Sequence, residues 1–218
     1  MIHELDRRFW IGGSDIDRFV LGNHATATWR NWWDLKRGRQ AGGGFTGNSA
    51  TMTGNKLEHS ILKAFCPDVE WDGQIFYSLL RLRVNYDGWC NGYIYEVKCH
   101  RANNTLDLDK YRGQVTTQAW VYQKRQEELE LPEFKGISIL EYPFYPDEEC
   151  ARYDFETIEN GLVPIDPKRI VEHKIKYKSK HFKAIGKALK PLAAELEELN
   201  GIAQHDTANE TAEQEIER

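Results

Sequence analysis

The chain has 218 residues, 40% of them hydrophobic and 12% aromatic, with a formal net charge of −5. That length supports a sizeable core in one domain, and no apolar run is long enough to span a bilayer. The opening Met-Ile-His-Glu-Leu-Asp lacks the basic and apolar regions of a signal peptide, so a cytoplasmic protein is expected. The cysteines at 66, 90, 99 and 150 form no CxxC pair, and four reduced thiols are expected rather than a zinc or iron–sulfur site. The charge is uneven. Of 29 basic and 34 acidic residues, two and eight fall in 190–218, leaving 27 and 26 elsewhere, so the body of the chain does not exclude a nucleic-acid partner.

In chain order, Ile11-Gly-Gly-Ser-Asp-Ile-Asp-Arg-Phe-Val-Leu-Gly22 reads as a glycine turn and a short helix that Ser14 or Asp15 can cap. A helix containing Trp29, Trp32, Trp33 and Leu35 follows, ended by glycines between 38 and 44, and residues 41–50 read as a polar loop. Leu57, Ile61, Leu62 and Phe65 fall at helical spacing. Strands are expected at Val69–Trp71, Gln74–Leu80, Leu82–Tyr86 and Tyr93–Cys99, then a helix from Tyr111 to about Leu131 and a strand at Ile137–Phe144. The stretch from Asp166 to about Leu199 reads as helical, with eight basic residues between 166 and 189 that suit a phosphate backbone or a solvated face. The expected organisation is one domain over 1–200 and an acidic, flexible tail over 201–218. Strands interleaved with helices predict an α/β fold, a central mixed β-sheet flanked by helices.

One stretch carries chemistry: Asp87-Gly-Trp-Cys-Asn-Gly-Tyr-Ile-Tyr-Glu96-Val-Lys98. Glu96 and Lys98, two apart on a strand, share a face, and Gly88 and Gly92 suit a tight connection that folds Asp87 back towards Glu96. Two carboxylates and an amine converging in this way can hold a hard divalent cation and touch an attacking water. The same spacing on a solvated strand is an ordinary charge pair, so the reading depends on the motif's company along the chain.

That company is Ile-Gly-Gly-Ser-Asp, then Gly54-x-x-Leu-Glu58, Asp87-Gly, Glu96-Val-Lys98 and Tyr111-x-x-Gln114-Val-x-x-Gln118. In this order, over roughly residues 5–125, the chain resembles the YqaJ-type viral recombinases, in the lambda-exonuclease branch of the PD-(D/E)xK nuclease superfamily. The resemblance implies a restriction-endonuclease-like core and a phage or prophage 5′→3′ exonuclease. Such an enzyme would resect linear double-stranded DNA ends for a single-strand-annealing recombinase, in a bacterial host cytoplasm, with a homotrimer as an inherited expectation. By the same resemblance Asp87, Glu96, the Val97 carbonyl and Glu58 would hold Mg²⁺, with Mn²⁺ as a substitute. Lys98 would orient or deprotonate the attacking water, Gln114 would bond the phosphate or the water, and Gln118 would support that shell. Arg7, seven residues before Ser14, would bind a terminal 5′-phosphate with it. Tyr86 stands where proline often precedes the motif acid, a change that shapes only the turn. A nuclease of the same fold cutting internally and a DNA-end-binding module without catalysis are the alternatives.

Overall fold

The computed structural model describes residues 8–39, 49–149, 162–176 and 178–216, with 179 and 202–216 described as backbone only. Among the described residues six strands form one mixed sheet: β1 (Ile11–Gly12), β2 (Glu70–Tyr77), β3 (Leu82–Cys90), β4 (Tyr93–Arg101), β5 (Gly136–Phe144) and β6 (Val171–Ile175). Their order is β1-β3-β4-β5-β6, with β2 on the other side of β3. The β4–β5 pair is parallel over nine residues from Tyr93↔Gly136 to Arg101↔Phe144, and helix α3 (Arg112–Arg125) makes the crossover between them. The expectation of a mixed sheet flanked by helices holds.

The two faces are covered separately. Helix α2 (Ser49–Phe65) packs Leu57, Ile61 and Leu62 against Tyr95, Val97, Leu140 and Tyr142. On the other face Ile94, Ile137 and Ile139 meet Val115, Ala119 and Tyr122 of α3, and the core continues into Phe182, Ile185, Leu189 and Leu196 of α4 (Ser179–Ile216). Alternation of Ile94/Tyr95 and Ile139/Leu140 between the two clusters is the strand period of two expressed as packing. Helix α1 (Ala27–Lys36) is capped by Thr26, whose hydroxyl accepts from the Trp29 amide at 3.1 Å, and it delivers Trp32 and Trp33 to the α3 side of the core.

Several expectations change. The stretch 166–199 is not one helix: a 3₁₀ turn at Pro167–Arg169 leads into β6, and the helix begins only at Ser179. Val171 and Ile175 are β-branched, and β5 would otherwise present an unpaired edge. The eight basic residues are thereby divided among the turn, the strand, the connection after it and the helix. The helical backbone of α4 runs on through the acidic stretch to Ile216. Cys66 and Cys90 form a disulfide (Cα–Cα 6.7 Å), which corrects the reading of four thiols: the end of α2 lands on the end of β3. Cys99 is free, and Cys150 lies outside the described residues. The β3–β4 turn is made by Asn91 and Gly92, both at positive φ (54° and 93°). Gly88 instead sits within β3, where an added Cβ would lie 2.8 Å from Leu62 and Val69, so it serves packing of α2 rather than the turn.

Candidate active site

The register creates the site. Along one side of β3, β1 pairs with Leu82 and Arg83, and β4 pairs only with Gly88, Trp89 and Cys90. Among the described residues, 84–87 have no strand partner on that side. The backbone groups freed by this split need other partners. Asp87 supplies one, its Oδ2 accepting the Val97 amide at 2.6 Å. Gln118 supplies another, donating to the Asn85 carbonyl at 2.7 Å. In a strand the N–H and C=O of one residue point to the same side, so the Val97 carbonyl also faces the split.

Glu96 is the centre of the polar network and is 4% exposed. Its Oε1 accepts from Lys98 Nζ at 2.7 Å and from Gln114 Nε2 at 2.6 Å, and its Oε2 accepts from Gln118 Nε2 at 2.5 Å. These bonds fix the carboxylate's orientation, and both glutamines come from one face of α3. That helix is itself held by Asp17, whose carboxylate accepts the Gly113 and Gln114 amides at 2.8 and 2.9 Å. Burial raises the Asp17 pKa, and these two bonds pull against that rise.

The electrostatics are those of crowded acids. Burial pushes Asp87 well above the usual carboxylate range, with Glu96 and Glu58 adding to the rise. Glu58 on α2 is pushed up to about 7 by burial, then by Glu96 and Asp72. Burial alone would lower Lys98, but Glu96 and Asp87 raise it overall. Lys98 also stands 4.8 Å from the centre of the Tyr111 ring. Oxygen donors with excess negative charge suit a hard divalent cation, which would relieve the repulsion among them.

The predicted residues are not all gathered equally. Glu96, Lys98 and Gln114 are joined by direct hydrogen bonds, and Asp87 anchors the neighbouring backbone. Glu58 lies within electrostatic reach of both acids. Yet among the described residues the trio of potential ligands whose atoms lie within 4.8 Å of one another is Glu58, His59 and Asp72. Asp87, Glu96 and Glu58 do not form such a trio among the described residues. Arg7 lies outside the described residues. Ser14 lines the cavity beside Asp87 and Glu96, but the helix after it is a single wide turn, Ile16–Val20, with no side-chain cap. Asp15 instead accepts the Gly12 amide at 2.8 Å and pairs with Lys36 at 2.8 Å.

That cavity, of about 430 Å³, also shows what the sequence reading missed: Lys36, Arg83 and Asn85 line it with the acids. Arg83 and Asn85 precede Asp87 at strand spacing, which is a readable signal. Lys36 had none, since only packing of α1 brings it there.

No family model and no curated protein matches the chain in sequence. In three dimensions it is similar to an alkaline exonuclease, LHK-Exo, from Laribacter hongkongensis, with a TM-score of 0.59 and 16% identity over 94% of this chain and 96% of that one. A phage related exonuclease from Haemophilus somnus 129PT gives a TM-score of 0.55 and 13% identity over 93% of this chain and 98% of that one. The chain has an exonuclease fold. The structure of LHK-Exo in complex with dAMP aligns equally well, with a TM-score of 0.59 and 17% identity over 93% of this chain and 95% of that one. Near-complete coverage in both directions means that β6 and α4, outside the stretch carrying the sequence motifs, belong to the shared architecture.

Proposed function

We propose that this protein is a metal-dependent deoxyribonuclease that resects the ends of linear double-stranded DNA. The observation that carries the reading is the Glu96 carboxylate, held by Lys98, Gln114 and Gln118 beside Asp87 in the split of an exonuclease-fold sheet. Asp87, Glu96, the Val97 carbonyl and Glu58 would hold Mg²⁺, or Mn²⁺ in its place. The cation would supply charge neutralisation and a water of lowered pKa. Gln114 would turn its amide from Glu96 to the phosphate or the water. Lys98 would orient or deprotonate the attacking water and place positive charge at the scissile phosphate. Hydrolysis would be direct, without a covalent intermediate.

The finer reading adds 5′→3′ polarity, a phage or prophage role in single-strand annealing with a recombinase partner, and a ring-forming homotrimer. It rests on the motif resemblance, and the dAMP held by LHK-Exo agrees with removal of mononucleotides. The test uses linear 5′-phosphorylated duplex, labelled separately at each 5′ end, and closed circular DNA. Mg²⁺, EDTA and a Glu96→Ala variant form parallel arms. Loss of linear DNA from its 5′ ends, with circles intact and both EDTA and the variant inactive, is expected. Cut circles would mean an endonuclease. Stable end binding without cleavage by folded protein, across divalent ions, would mean a binding module.

A further inference from the structure

Past Lys98, the same face of β4 carries a second polar cluster that the chemistry above leaves unused. Glu96, Lys98 and His100 alternate along β4, and Glu141 on β5 is the register partner of Lys98. Paired strands lie about 4.8 Å apart, so the Glu141 side chain starts beside the Lys98 stem and within reach of its ammonium. Yet Lys98 Nζ turns to Glu96 at 2.7 Å, and Glu141 takes two histidines instead. Its Oε1 accepts from His100 Nε2 at 2.7 Å, and its Oε2 accepts from His173 Nε2 of β6 at 2.6 Å. His100 Nδ1 faces the Arg101 carbonyl at 2.9 Å. A carboxylate and a carbonyl only accept, so the His100 ring donates at both nitrogens, which fixes its plane. Burial alone would raise the Glu141 carboxyl, but the bonds from His173 and His100 lower it on balance, which leaves an ionised acid next to Lys98. With the Glu141 side chain 18% and that of His100 13% exposed, water screens this charge only in part.

We infer that His100 and His173 are positioning residues: by holding the Glu141 carboxylate on both oxygens, they keep it from Lys98 and leave that ammonium to the active site. The inference rests on the nuclease reading, in which Lys98 meets the water and the phosphate, and adds to it residues of β4, β5 and β6 outside the sequence motifs. Two acids compete for one lysine on a flexible four-carbon stem. Glu96 stands two residues back along the strand, and Glu141 stands directly across. Glu96 already receives Gln114 and Gln118, whereas a Glu141 stripped of its histidines would present two unsatisfied oxygens in a half-buried place. Leaving a charge there without a partner is costly, so such a carboxylate would draw the ammonium across the sheet. The cluster spans three adjacent strands, and the ladder fixes its spacing: Lys98 pairs with Glu141, and His173 pairs with Ile139, two residues before Glu141 on the same face. The edge strand β6 thereby acts on the lysine through Glu141 without touching the reacting groups.

The test is suppression of one substitution by another. The His100→Ala, His173→Ala double variant frees Glu141 and should lower kcat on linear duplex about tenfold while KM stays within about twofold, the pattern of an interaction made at the reacting phosphate. Adding Glu141→Gln removes the competing charge and should return kcat to within about threefold of the wild type, a coupling that independent sites do not show. The His100→Gln, His173→Gln double variant, which puts an amide donor near each lost Nε2, should keep most of the activity. Thermal melts confirm that each variant is folded. A readout that needs neither DNA nor cleavage is the Lys98 Nζ resonance in EDTA, assigned by its loss in Lys98→Arg. It should move in the double alanine variant and return in the triple variant. An unmoved resonance in the folded double alanine variant, or a loss of activity that Glu141→Gln does not repair, overturns the inference even if DNA is degraded. A resonance that moves and returns, in a protein that cleaves no DNA, sustains the positioning of Lys98 and refutes the nuclease.

Discussion

Replacing Gln118 by methionine preserves shape and removes only polarity, which isolates the role of the split sheet. The side chain is 1% exposed and its single amide nitrogen serves two acceptors, Glu96 Oε2 at 2.5 Å and the Asn85 carbonyl at 2.7 Å. Losing a buried hydrogen bond to a charged group costs about 1.5–3 kcal/mol, and a neutral one about 1 kcal/mol. Against this, the Gln118 Oε1 has no partner among the described atoms, and removing it returns about 1 kcal/mol. The net loss is therefore about 1.5–3 kcal/mol, or roughly 3–12 °C in melting temperature for a domain of this size. Urea and thermal denaturation followed by tryptophan fluorescence measure it. Hydrolysis should also fall, because a Glu96 held on one oxygen only is free to rotate away from Asp87. A stability change below about 0.5 kcal/mol, within the range of an indifferent surface substitution, would refute the view that α3 closes the gap in the β3 ladder.

Glu96→Gln should reduce hydrolysis of linear duplex about a hundred- to a thousandfold, the scale of losing a principal electrostatic group, while gel-shift binding to the same duplex persists. Asp17→Ala should cost about 1–2 kcal/mol, as loss of a helix-capping side chain does, and hydrogen exchange should quicken at the Gly113 and Gln114 amides it holds. Glu58 gives a pH signature: its folded pKa, raised to about 7 by burial and then by Glu96 and Asp72, lies above its unfolded value near 4.5. The stability it allows is fully present below pH 4.5 and is lost as pH rises through 7, by up to about 3 kcal/mol. Glu58→Gln should flatten that slope in EDTA melts. Mg²⁺ should raise the wild-type melting temperature more at pH 8 than at pH 5, and an equal effect at both would argue against carboxylate ligation.

Much of the site was legible because its chemistry lies on regular elements. Glu96 and Lys98 share a strand face, and Gln114 and Gln118 share a helix face one turn apart, so period alone sets which side chains can meet. The central sheet was legible for the same reason, since β4 and β5 alternate two apolar sets between two helical layers. What failed did so where tertiary pairing overrides local pattern. Val171–Ile175 lies in a lysine-rich stretch that reads as helix, yet β5 offers it an edge worth more than its own helical preference. The Cys66–Cys90 bridge was invisible because it depends on where α2 ends over β3.

The cavity illustrates the deeper limit. Whether Arg83, Asn85 and Asp87 face a neighbouring strand or a ligand depends on how far β1 and β4 extend along β3, and each stops short: β1 is two residues long, and β4 meets β3 over three. A longer β1 would have paired residues 84–87 and sealed the space. The termination of β1 is nevertheless traceable to residues, because Asp15 takes the Gly12 amide and turns the chain away after Gly12, with Lys36 holding Asp15 from α1. The Gly-Gly-Ser-Asp segment thus acts first as a strand breaker: by ending β1 it opens the edge on which Asp87 and Glu96 become accessible. Substituting Asp15 should therefore affect the acids indirectly, through the width of the split.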